Sequence, residues 1–427
     1  MISLILFGLL AVLLLFSVPI AVSLGIASTI ALLVSGKVSA SYVPQGLVTS
    51  IDSFPLMAVP FFILAGDLMG QGGLSHRLIK VGRMLFGRYT GGMAIIAVVT
   101  CIFFAAISGS GPATVAAVGT ILLPAMAKDG YRPSFSSGLV SCAGSLGVII
   151  PPSIPMVIYA TSANVSVSKM FMAGVIPGLL IGLTLILYAW VQSRKDGQKP
   201  GDYRPSGREM IAVLNEAKWA LLVPVIILGG IYGGVFTPTE AAAVGVIYGF
   251  IVGAFIYREL DLKGLYKIFA GSALTSATIM LIVGTATIFG RALAIERVPV
   301  MLANAITSAV DQPWLLLLAI NVILLVVGTF METIAAIIIL TPILLPLVTA
   351  LGISPEHFGI VMIVNLAIGM ITPPVGVNLF VASRVAGLSL ETVVRGVITP
   401  MLLMIAVLLI ITYVPALSLA LPALFGM

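Results

Sequence analysis

Ten long apolar segments constrain this chain more than any other feature. A membrane-spanning helix needs about 20 apolar residues at 1.5 Å per residue. The ten segments reach or approach that length, and they lack the polar–apolar alternation of membrane strands. They are Ile2–Ser17, Ile20–Val34, Phe54–Met69, Ser134–Thr161, Met170–Gln192, Trp219–Phe236, Ala241–Tyr257, Ala270–Gly290, Phe358–Ser383 and Gly396–Leu421. The class predicted is an all-α polytopic membrane protein.

Composition excludes the main alternatives. The chain has 427 residues, of which 60% are hydrophobic and only 8% are charged, and one soluble domain could not bury that much apolar surface. A soluble enzyme, a nucleic-acid-binding protein and a disordered scaffold are therefore excluded. The apolar start, Met1–Leu33, has no basic region before it, so we expect mature membrane structure there and not a cleaved signal peptide.

The two halves of the chain resemble each other at an offset of 222 residues, which predicts a two-fold internal repeat. The matching motifs are Ile121–Pro124 with Ile343–Pro346, Pro133 with Pro355, Gly147-x-x-x-Pro151-Pro152 with Gly369-x-x-x-Pro373-Pro374, and Gly174–Ile176 with Gly396–Ile398. The predicted repeats are residues 1–193 and 219–427. Between them, Arg194–Lys218 is polar and rich in Lys, Arg, Gly and Pro, which is typical of a linker.

Each half also contains two short apolar pieces separated by small or polar residues. They are Gly92–Ile107 with Ala113–Ala127, and Pro313–Val327 with Thr333–Ala350. Pieces of about 15 residues are about 22 Å long as helices, which is shorter than the hydrocarbon thickness. We predict one re-entrant hairpin in each half, over about 92–127 and 313–350. Two ordinary short spans remain the alternative.

A proline pair interrupts one span in each half. Pro151-Pro152 divides the span 134–161, and Pro373-Pro374 divides the span 358–383. Proline removes an N–H and clashes with the carbonyl four residues earlier, so each pair frees several carbonyl groups. Inside a membrane, such groups need protein, water or ions as partners. Both spans are therefore predicted to be broken helices, although the prolines could instead only kink helices for packing.

If the hairpins do not cross the membrane, each half crosses five times, and the second repeat is inverted relative to the first. With both termini in the periplasm, 17 basic residues lie on the cytoplasmic side and 4 lie outside, as the positive-inside rule requires. The linker 194–218 is then cytoplasmic. The cytoplasmic residues are Arg77, Lys80, Arg83, Arg88, Lys128, Arg132, Arg194, Lys195, Lys199, Arg204, Arg208, Lys218, Arg258, Lys263, Lys267, Arg384 and Arg395; the others are Lys37, Lys169, Arg291 and Arg297.

Two segments are predicted to be interfacial amphipathic helices. In the first, one face carries only apolar side chains, and the opposite face holds basic ones. That apolar face consists of Leu74, Leu78, Val81 and Leu85. The segment Arg291–Val310 occupies the matching place in the second repeat. These helices could join a moving domain to a fixed one, and ordinary anchoring at the interface is an equal alternative.

Four motifs together resemble the large membrane subunit of tripartite ATP-independent periplasmic (TRAP) transporters. They are Phe236–Gly245, Ser108–Thr114, Ile150–Ser153 and Thr372–Asn378. The likeness covers essentially the whole chain. It implies Na⁺-driven, elevator-type uptake of an organic acid across the bacterial inner membrane. It also implies two partners, a small four-helix membrane subunit and a periplasmic substrate-binding protein. Sialic acids and C4-dicarboxylates are among the family substrates, and the overall likeness favours the sialic-acid branch.

The hairpin turns and helix breaks predict two sodium sites related by the repeat, because backbone carbonyl and hydroxyl oxygens are ligands for hard cations. Half-helix N-termini at the same place favour an anionic substrate between the turns. The first sodium site would use Ser108, Gly109, Ser110, Gly147, Val148 and Pro151, and the second Gly328, Thr329, Glu332, Gly369, Met370 and Thr372. The substrate would lie near Ser110, Ser153, Thr333 and Asn378.

Several single residues allow two interpretations. Glu240 completes a Thr-x-x-Glu capping box and is predicted to begin a helix. Glu332 is either a sodium ligand or only the cap of the helix after the turn. Asp67, at the end of a span, is predicted to be interfacial. His76 and His357 lack the spacing of metal ligands, and no metal other than Na⁺ is expected.

Three functions compete on this evidence from the sequence. A secondary transporter explains the paired breaks and hairpins best. An ion channel or other passive pore would need a continuous polar lining. A membrane enzyme would need paired acids, metal-spaced histidines or a nucleotide-binding loop. The chain contains no G-x-x-x-x-G-K-[ST] motif, so we expect that ATP is not the direct energy source and that no cofactor besides the coupling ion is needed.

Overall fold

The computed structural model describes residues 2–201, 203–298, 301 and 312–426, and this part of the chain is built from helices joined by short loops. It contains nineteen α-helices. Eight helical segments of the described part are long and apolar enough, by length and composition, to cross a membrane. The prediction of an all-α polytopic membrane protein is therefore confirmed.

The first half contains ten helices and the second half nine within the described residues. The first ten are α1 (Ile2–Leu15), α2 (Ile20–Ser35), α3 (Tyr42–Ile51), α4 (Ala58–Gln71), α5 (Leu74–Phe86), α6 (Gly92–Ser108), α7 (Gly111–Lys128), α8 (Pro133–Gly144), α9 (Ile154–Ala163) and α10 (Val167–Lys195). The others are α11 (Gly207–Tyr232), α12 (Pro238–Ile251), α13 (Leu262–Ile295), α14 (Pro313–Phe330), α15 (Thr333–Ala350), α16 (Pro355–Gly369), α17 (Val377–Ala386), α18 (Leu390–Tyr413) and α19 (Ala416–Leu424).

The helices at the predicted hairpins and breaks follow the same order in both halves. Helices α6 and α7 form the first hairpin, and α14 and α15 form the second; α8–α9 and α16–α17 are the interrupted helices. One difference lies earlier in each half. The first half has α3 and α4 with a short 3₁₀ turn, Phe54–Met57, before α4, whereas the second half has the 34-residue helix α13. Pro55 lies at the start of this 3₁₀ turn. The equivalent position in the second half holds Ala277, which a helix accepts readily.

The connection between the halves is shorter than the predicted linker 194–218. Helix α10 continues to Lys195, and α11 already begins at Gly207. A capping box explains the early start of α11, because the Ser206 hydroxyl accepts from the Glu209 N–H and the Glu209 carboxylate accepts from the Ser206 N–H. The polar residues after position 207 therefore lie on a helix and not in a loop.

The first predicted surface helix is present as α5, which packs against α6 and α11. Leu74, Leu78 and Val81 are buried as predicted, whereas Leu85 is 46% exposed. Met84, the preceding residue, is buried instead. The face that α5 packs against α6 and α11 therefore includes position 84 and not position 85. The second predicted surface segment, Arg291–Val310, begins within the end of α13, and most of the rest lies outside the described residues.

Each hairpin packs against interrupted helices of both halves. The first arms stay within their own half, with α6 on α8 and α14 on α16. The second arms cross over, so that α7 packs on α17 and α15 packs on α9. This exchange brings both turns and both interruptions to one place in the molecule.

Candidate functional site

A cavity of about 590 Å³ lies where the two hairpin turns meet the two interruptions. Helices α4 and α13 close its other side through residues such as Ile63 and Ile279. The two turns contribute carbonyl, hydroxyl and carboxylate oxygens to a lining that is otherwise mainly apolar. Such a set of oxygens suits hard cations.

The first turn is a compact network of hydroxyl groups. The Ser108 and Thr114 hydroxyl oxygens lie 2.9 Å apart, and the Thr114 hydroxyl donates to the Ser110 carbonyl at 2.8 Å. Gly109 has φ +60°, a left-handed conformation that favours glycine. Its carbonyl accepts from the Ile154 N–H at 3.4 Å. The turn is thus joined directly to the start of α9.

The first interruption packs tightly against this turn. A Cβ atom added at Gly147 would lie 2.4 Å from the Ser110 carbonyl oxygen. Ser153 is the N-cap of α9; its hydroxyl donates to the Val148 carbonyl at 2.6 Å and accepts from the Met156 N–H at 3.4 Å. Ser153 is fully buried, so its side chain supports the wall of the cavity from behind.

The second turn has a carboxylate where the first has hydroxyl groups. Glu332 is the N-cap of α15, and one of its oxygens accepts from the N–H groups of Ile334 and Ala335 at 2.9 and 3.1 Å. Glu332 also lines the cavity and is exposed. The Thr329 hydroxyl donates to the Val326 carbonyl at 2.7 Å. Glu332 therefore caps the helix, as one of the two interpretations proposed, while its carboxylate remains open to the cavity.

The second interruption meets its turn backbone to backbone. A Cβ atom at Gly369 would lie 2.4–2.6 Å from backbone atoms of Gly328. The Thr372 hydroxyl donates to the Ile368 carbonyl at 2.7 Å and lies 3.4 Å from the Met401 sulfur. Asn378 is fully buried, and its side-chain N–H donates to the Ser141 carbonyl at 3.3 Å.

The predicted site residues divide into two groups. Nine of them line the cavity: Ser108, Gly109, Ser110, Val148, Gly328, Thr329, Glu332, Thr333 and Met370. The other six are not part of this lining: Gly147, Pro151, Ser153, Gly369, Thr372 and Asn378. The structure thus brings the two predicted sets together, and their assignment to sodium and substrate stays a prediction.

Sequence reasoning missed the contribution of α4 and α13. Asp67, which the sequence predicted to be interfacial, lines the cavity and accepts from the Ser272 hydroxyl at 2.6 Å. Thr275 and Thr278 of α13 line it as well. Thr275 and Thr278 are three residues apart on a largely apolar helix, so they lie on the same face. This pattern was the sequence signal that could have placed them at the cavity. Among the described lining residues, the charged ones are the two acids Asp67 and Glu332.

Two hairpins and two interrupted helices that enclose one cavity are the architecture of a secondary transporter, and the fold and site define a polytopic membrane protein of this class. Residues 7–417 match the family model described as "Tripartite ATP-independent periplasmic transporter, DctM component". The chain belongs to this family, and the predicted resemblance is confirmed. The related proteins are permease proteins and not enzymes.

Several relatives cover nearly the whole chain. The isethionate TRAP transporter permease protein DctMQ of Oleidesulfovibrio alaskensis is 52% identical over 96% of this chain, which spans 65% of that protein's length. The C4-dicarboxylate TRAP transporter large permease protein DctM of Pseudomonas aeruginosa is 45% identical over 95% of both chains. The sialic acid TRAP transporter large permease protein SiaM of Vibrio cholerae is 37% identical over 95% of both chains.

A solved structure shares the fold. The YdaH transporter of Alcanivorax borkumensis has a TM-score of 0.65, with 18% identity and coverage of 87% of each chain. At this level of identity, the likeness concerns the fold alone.

Proposed function

We propose that this chain forms the Na⁺-coupled path by which an organic acid crosses the bacterial inner membrane. The observation that carries the proposal is the single cavity of about 590 Å³ that both hairpin turns and both interruptions line. A cavity assembled from broken helices of two repeats is where secondary transporters bind substrate and coupling ions.

Sodium is the coupling ion in this proposal, with one site at each turn. The support is the close packing of Gly147 on the Ser110 carbonyl and of Gly369 on Gly328. Most ligands would be backbone carbonyls, with Glu332 adding a carboxylate at the second site. Two bound cations would also offset the negative charges of Asp67 and Glu332, which otherwise repel an anion.

The organic acid binds between the two turns in this proposal. Ser110 and Thr333 reach the cavity and can donate hydrogen bonds to a carboxylate, whereas Ser153 and Asn378 hold the wall behind them. The relatives named for isethionate and C4-dicarboxylates are more similar to this chain than the one named for sialic acid. We therefore propose a small organic acid as substrate, and the earlier preference for the sialic-acid branch stays untested.

An elevator movement is the proposed mechanism. The hairpins and interrupted helices would move as one body past α4 and α13. At the first turn, Gly66 of α4 packs directly on the backbone of Ser108, and a Cβ there would lie 3.1 Å from its Cα. At this point no side chain of α4 interlocks with the turn, which favours sliding there.

The assembly is proposed to contain three proteins, as the family name indicates. A periplasmic binding protein would deliver the acid, and a small four-helix membrane subunit would brace this chain. Uptake in proteoliposomes that contain all three proteins tests the function. We expect concentrative uptake with a Na⁺ gradient and without ATP, and none from this polypeptide alone. Equal uptake with K⁺ or with a proton gradient alone would exclude sodium coupling.

A passive pore is the alternative function, and the same experiment separates the two. A pore equilibrates the acid across the membrane, whereas a coupled transporter accumulates it above the outside concentration. The cavity favours the transporter, because the two turns and the two interruptions, which belong to both halves of the chain, line one enclosed site.

The orientation in the inner membrane is also a proposal, with both termini in the periplasm and the connection near position 200 in the cytoplasm. Its support is the 17 to 4 division of basic residues. Lys199 is exposed, and the native Cys101 and Cys142 are buried. We expect Lys199→Cys to resist a membrane-impermeant maleimide in intact cells and to react after lysis. Reaction in intact cells would reverse the orientation.

A further inference from the structure

A second cavity, of about 330 Å³, follows the central one along the same three helices. On α13 the central cavity ends at Ile282 and the second begins at Val283. On α9 the lining passes from Pro155 to Ile158, and on α15 it passes from Ile334 to Ile338. Both cavities therefore lie along the seam where α9, α13 and α15 come together. They follow one another along this seam, and apolar side chains separate them.

The two cavities carry opposite charge. The charged residues in the described lining of the central cavity are Asp67 and Glu332, whereas the charged residue in the described lining of the second is Arg291. Ser50, Thr161, Ser162 and Thr287 line the second cavity as well, and the hydroxyl groups of Ser50, Thr161 and Thr287 donate to carbonyls of their own helices. A guanidinium binds carboxylate and sulfonate groups, and the central cavity without cations does not favour them.

We propose that this second cavity, which we call the Arg291 cavity, is an additional binding site for the transported organic acid. It would hold the acidic group of the substrate next to the central cavity, before the coupling ions make that cavity favourable. The inference rests on the proposed function for the identity of its ligand. Arg291 belongs to the set of basic residues predicted to lie outside the cytoplasm, and this orientation would place the Arg291 cavity on the periplasmic side of the seam.

The surroundings of Arg291 hold its guanidinium close to helix α3. The guanidinium carbon lies 5.9 Å from the centre of the Tyr42 ring. A Cβ atom at Gly46 would lie 3.0 Å from one guanidinium nitrogen, so a residue without a side chain leaves space for the arginine. The side chain thus bridges α13 and α3, and Ser50 of α3 lines the Arg291 cavity together with Arg291.

Continuity with the central cavity favours the substrate over a lipid phosphate as the ligand. Three helices that line the proposed translocation site also line the Arg291 cavity, and two of them, α9 and α15, belong to the interrupted helices and hairpins. A site for a lipid head group does not need this shared wall. The experiments therefore include competition by soluble acids.

Cysteine reactivity tests the site without transport. Ser162 lines the cavity and is exposed, and the two native cysteines are buried. In the full complex, Ser162→Cys is allowed to react with sulfonatoethyl methanethiosulfonate and with its trimethylammonium counterpart. We expect the sulfonate reagent to lose about tenfold in relative rate when Arg291→Gln is added. Isethionate or succinate should slow labelling only while Arg291 is present.

Uptake supplies the second measurement, with a matched control. Arg291→Gln should raise the substrate concentration for half-maximal uptake about tenfold and leave the Na⁺ dependence unchanged. Arg291→Lys should restore part of the affinity, because it keeps the charge and loses the two-pronged geometry. Arg297→Gln removes an equal charge from an exposed position six residues later and should leave uptake unchanged.

The outcomes separate this inference from the proposed function. If the wild-type complex shows Na⁺-driven uptake while Arg291→Gln changes neither uptake nor reagent preference, the Arg291 cavity is not a substrate site. A reagent preference that depends on Arg291 but resists competition by both acids would also overturn the substrate assignment. If the wild-type complex shows no Na⁺-driven uptake while the acids still protect Ser162→Cys, the anion site stands and the proposed function fails.

Discussion

The two hairpin turns reach the same cavity with different chemistry. At the first turn, the Ser108 and Thr114 hydroxyl oxygens lie within hydrogen-bonding distance of each other, and the Thr114 hydroxyl donates to the Ser110 carbonyl. The second offers the Glu332 carboxylate, which caps α15 and still faces the cavity. At both turns, however, a glycine of the interrupted helix packs on the turn backbone. Gly147 and Gly369 are related by the 222-residue offset.

This comparison separates what the repeat keeps from what it varies. Close backbone packing of turn and interruption is present twice, so it belongs to the architecture. The side chains differ, since Thr372 corresponds to Ile150 and Glu332 has no acidic counterpart at the first turn. If both turns bind sodium, the two sites cannot be identical, and the second is the more sensitive to side-chain substitution.

The largest effect is expected from the two glycines. Gly147→Ala and Gly369→Ala each place a Cβ within 2.4 Å of turn backbone, so the turn must move away from the interruption. Overpacking of this kind costs about 1–3 kcal/mol or more. We expect both variants to lose Na⁺-driven uptake to a similar extent.

A matched control for the glycines is Gly271→Ala on α13. Nothing lies within 4 Å of its added Cβ, and alanine favours a helix over glycine by about 1 kcal/mol. It should keep full uptake with unchanged or higher thermal stability of the purified subunit. Normal uptake by Gly147→Ala with loss in Gly369→Ala would mean that only the second turn matters.

The next effect is expected from Glu332→Gln. This change keeps an oxygen that can accept from the Ile334 and Ala335 N–H groups and removes the negative charge. If the carboxylate is a sodium ligand, the Na⁺ concentration for half-maximal uptake should rise at least about tenfold, since bonds to charged groups contribute about 1.5–3 kcal/mol. The measurement is uptake as a function of Na⁺ concentration.

Ser110→Ala at the first turn is the comparison for Glu332→Gln. It deletes a neutral hydroxyl and leaves the backbone carbonyl that accepts from Thr114, so its effect on Na⁺ dependence should be smaller. If Glu332→Gln leaves the Na⁺ dependence unchanged, Glu332 is only a helix cap, and the asymmetry between the turns disappears.

A smaller effect is expected from Thr372→Val. The substitution keeps the shape and removes a hydroxyl that donates to the Ile368 carbonyl. A neutral hydrogen-bonding group contributes about 1 kcal/mol, so Na⁺ activation should weaken severalfold while the complex still assembles. Ile150→Val, at the equivalent position, removes no oxygen and should leave the Na⁺ dependence unchanged. Identical Na⁺ curves for Thr372→Val and the wild type would show that Thr372 lies outside the second site.

The smallest effect is expected from Ser153→Ala. Its hydroxyl caps α9 and bonds to the Val148 carbonyl, and loss of an N-cap costs about 1 kcal/mol. The variant should unfold at a slightly lower temperature, with an unchanged substrate concentration for half-maximal uptake. A clear rise in that concentration would instead mean that Ser153 contacts the substrate. The second half has Val375 at this position, so no equivalent loss is available there.

Local signals predicted the elements of the site well. The proline pairs lie in the interruptions between α8 and α9 and between α16 and α17, and the small residues between the apolar pieces lie at both turns. The capping box at Thr237 and Glu240 begins α12 as predicted. These features depend on a few neighbouring residues, because proline, glycine and capping side chains act on the backbone beside them.

Positions that depend on distant neighbours were predicted less well. Asp67, at the end of a span, was predicted to be interfacial. Packing of α4 against α13 places its side chain at the cavity, where it accepts from the Ser272 hydroxyl. Ser153 and Asn378 were predicted to contact the substrate; both side chains are fully buried and neither lines the cavity, and their role stays a prediction. Helical periodicity gives the faces of a helix, and the neighbours decide which face lies at the cavity.

The sequence by itself determined that this chain is a helical membrane protein, that its motifs recur at 222 residues, and where the helices break. Apolar length, repeated motifs and proline chemistry act locally, so they can be read directly from the residues. Only the tertiary structure decided that the second arm of each hairpin packs on the interrupted helix of the other half, and that two acids and Arg291 line separate cavities on one seam. These features come from the joint packing of helices far apart in the chain, which no local pattern encodes.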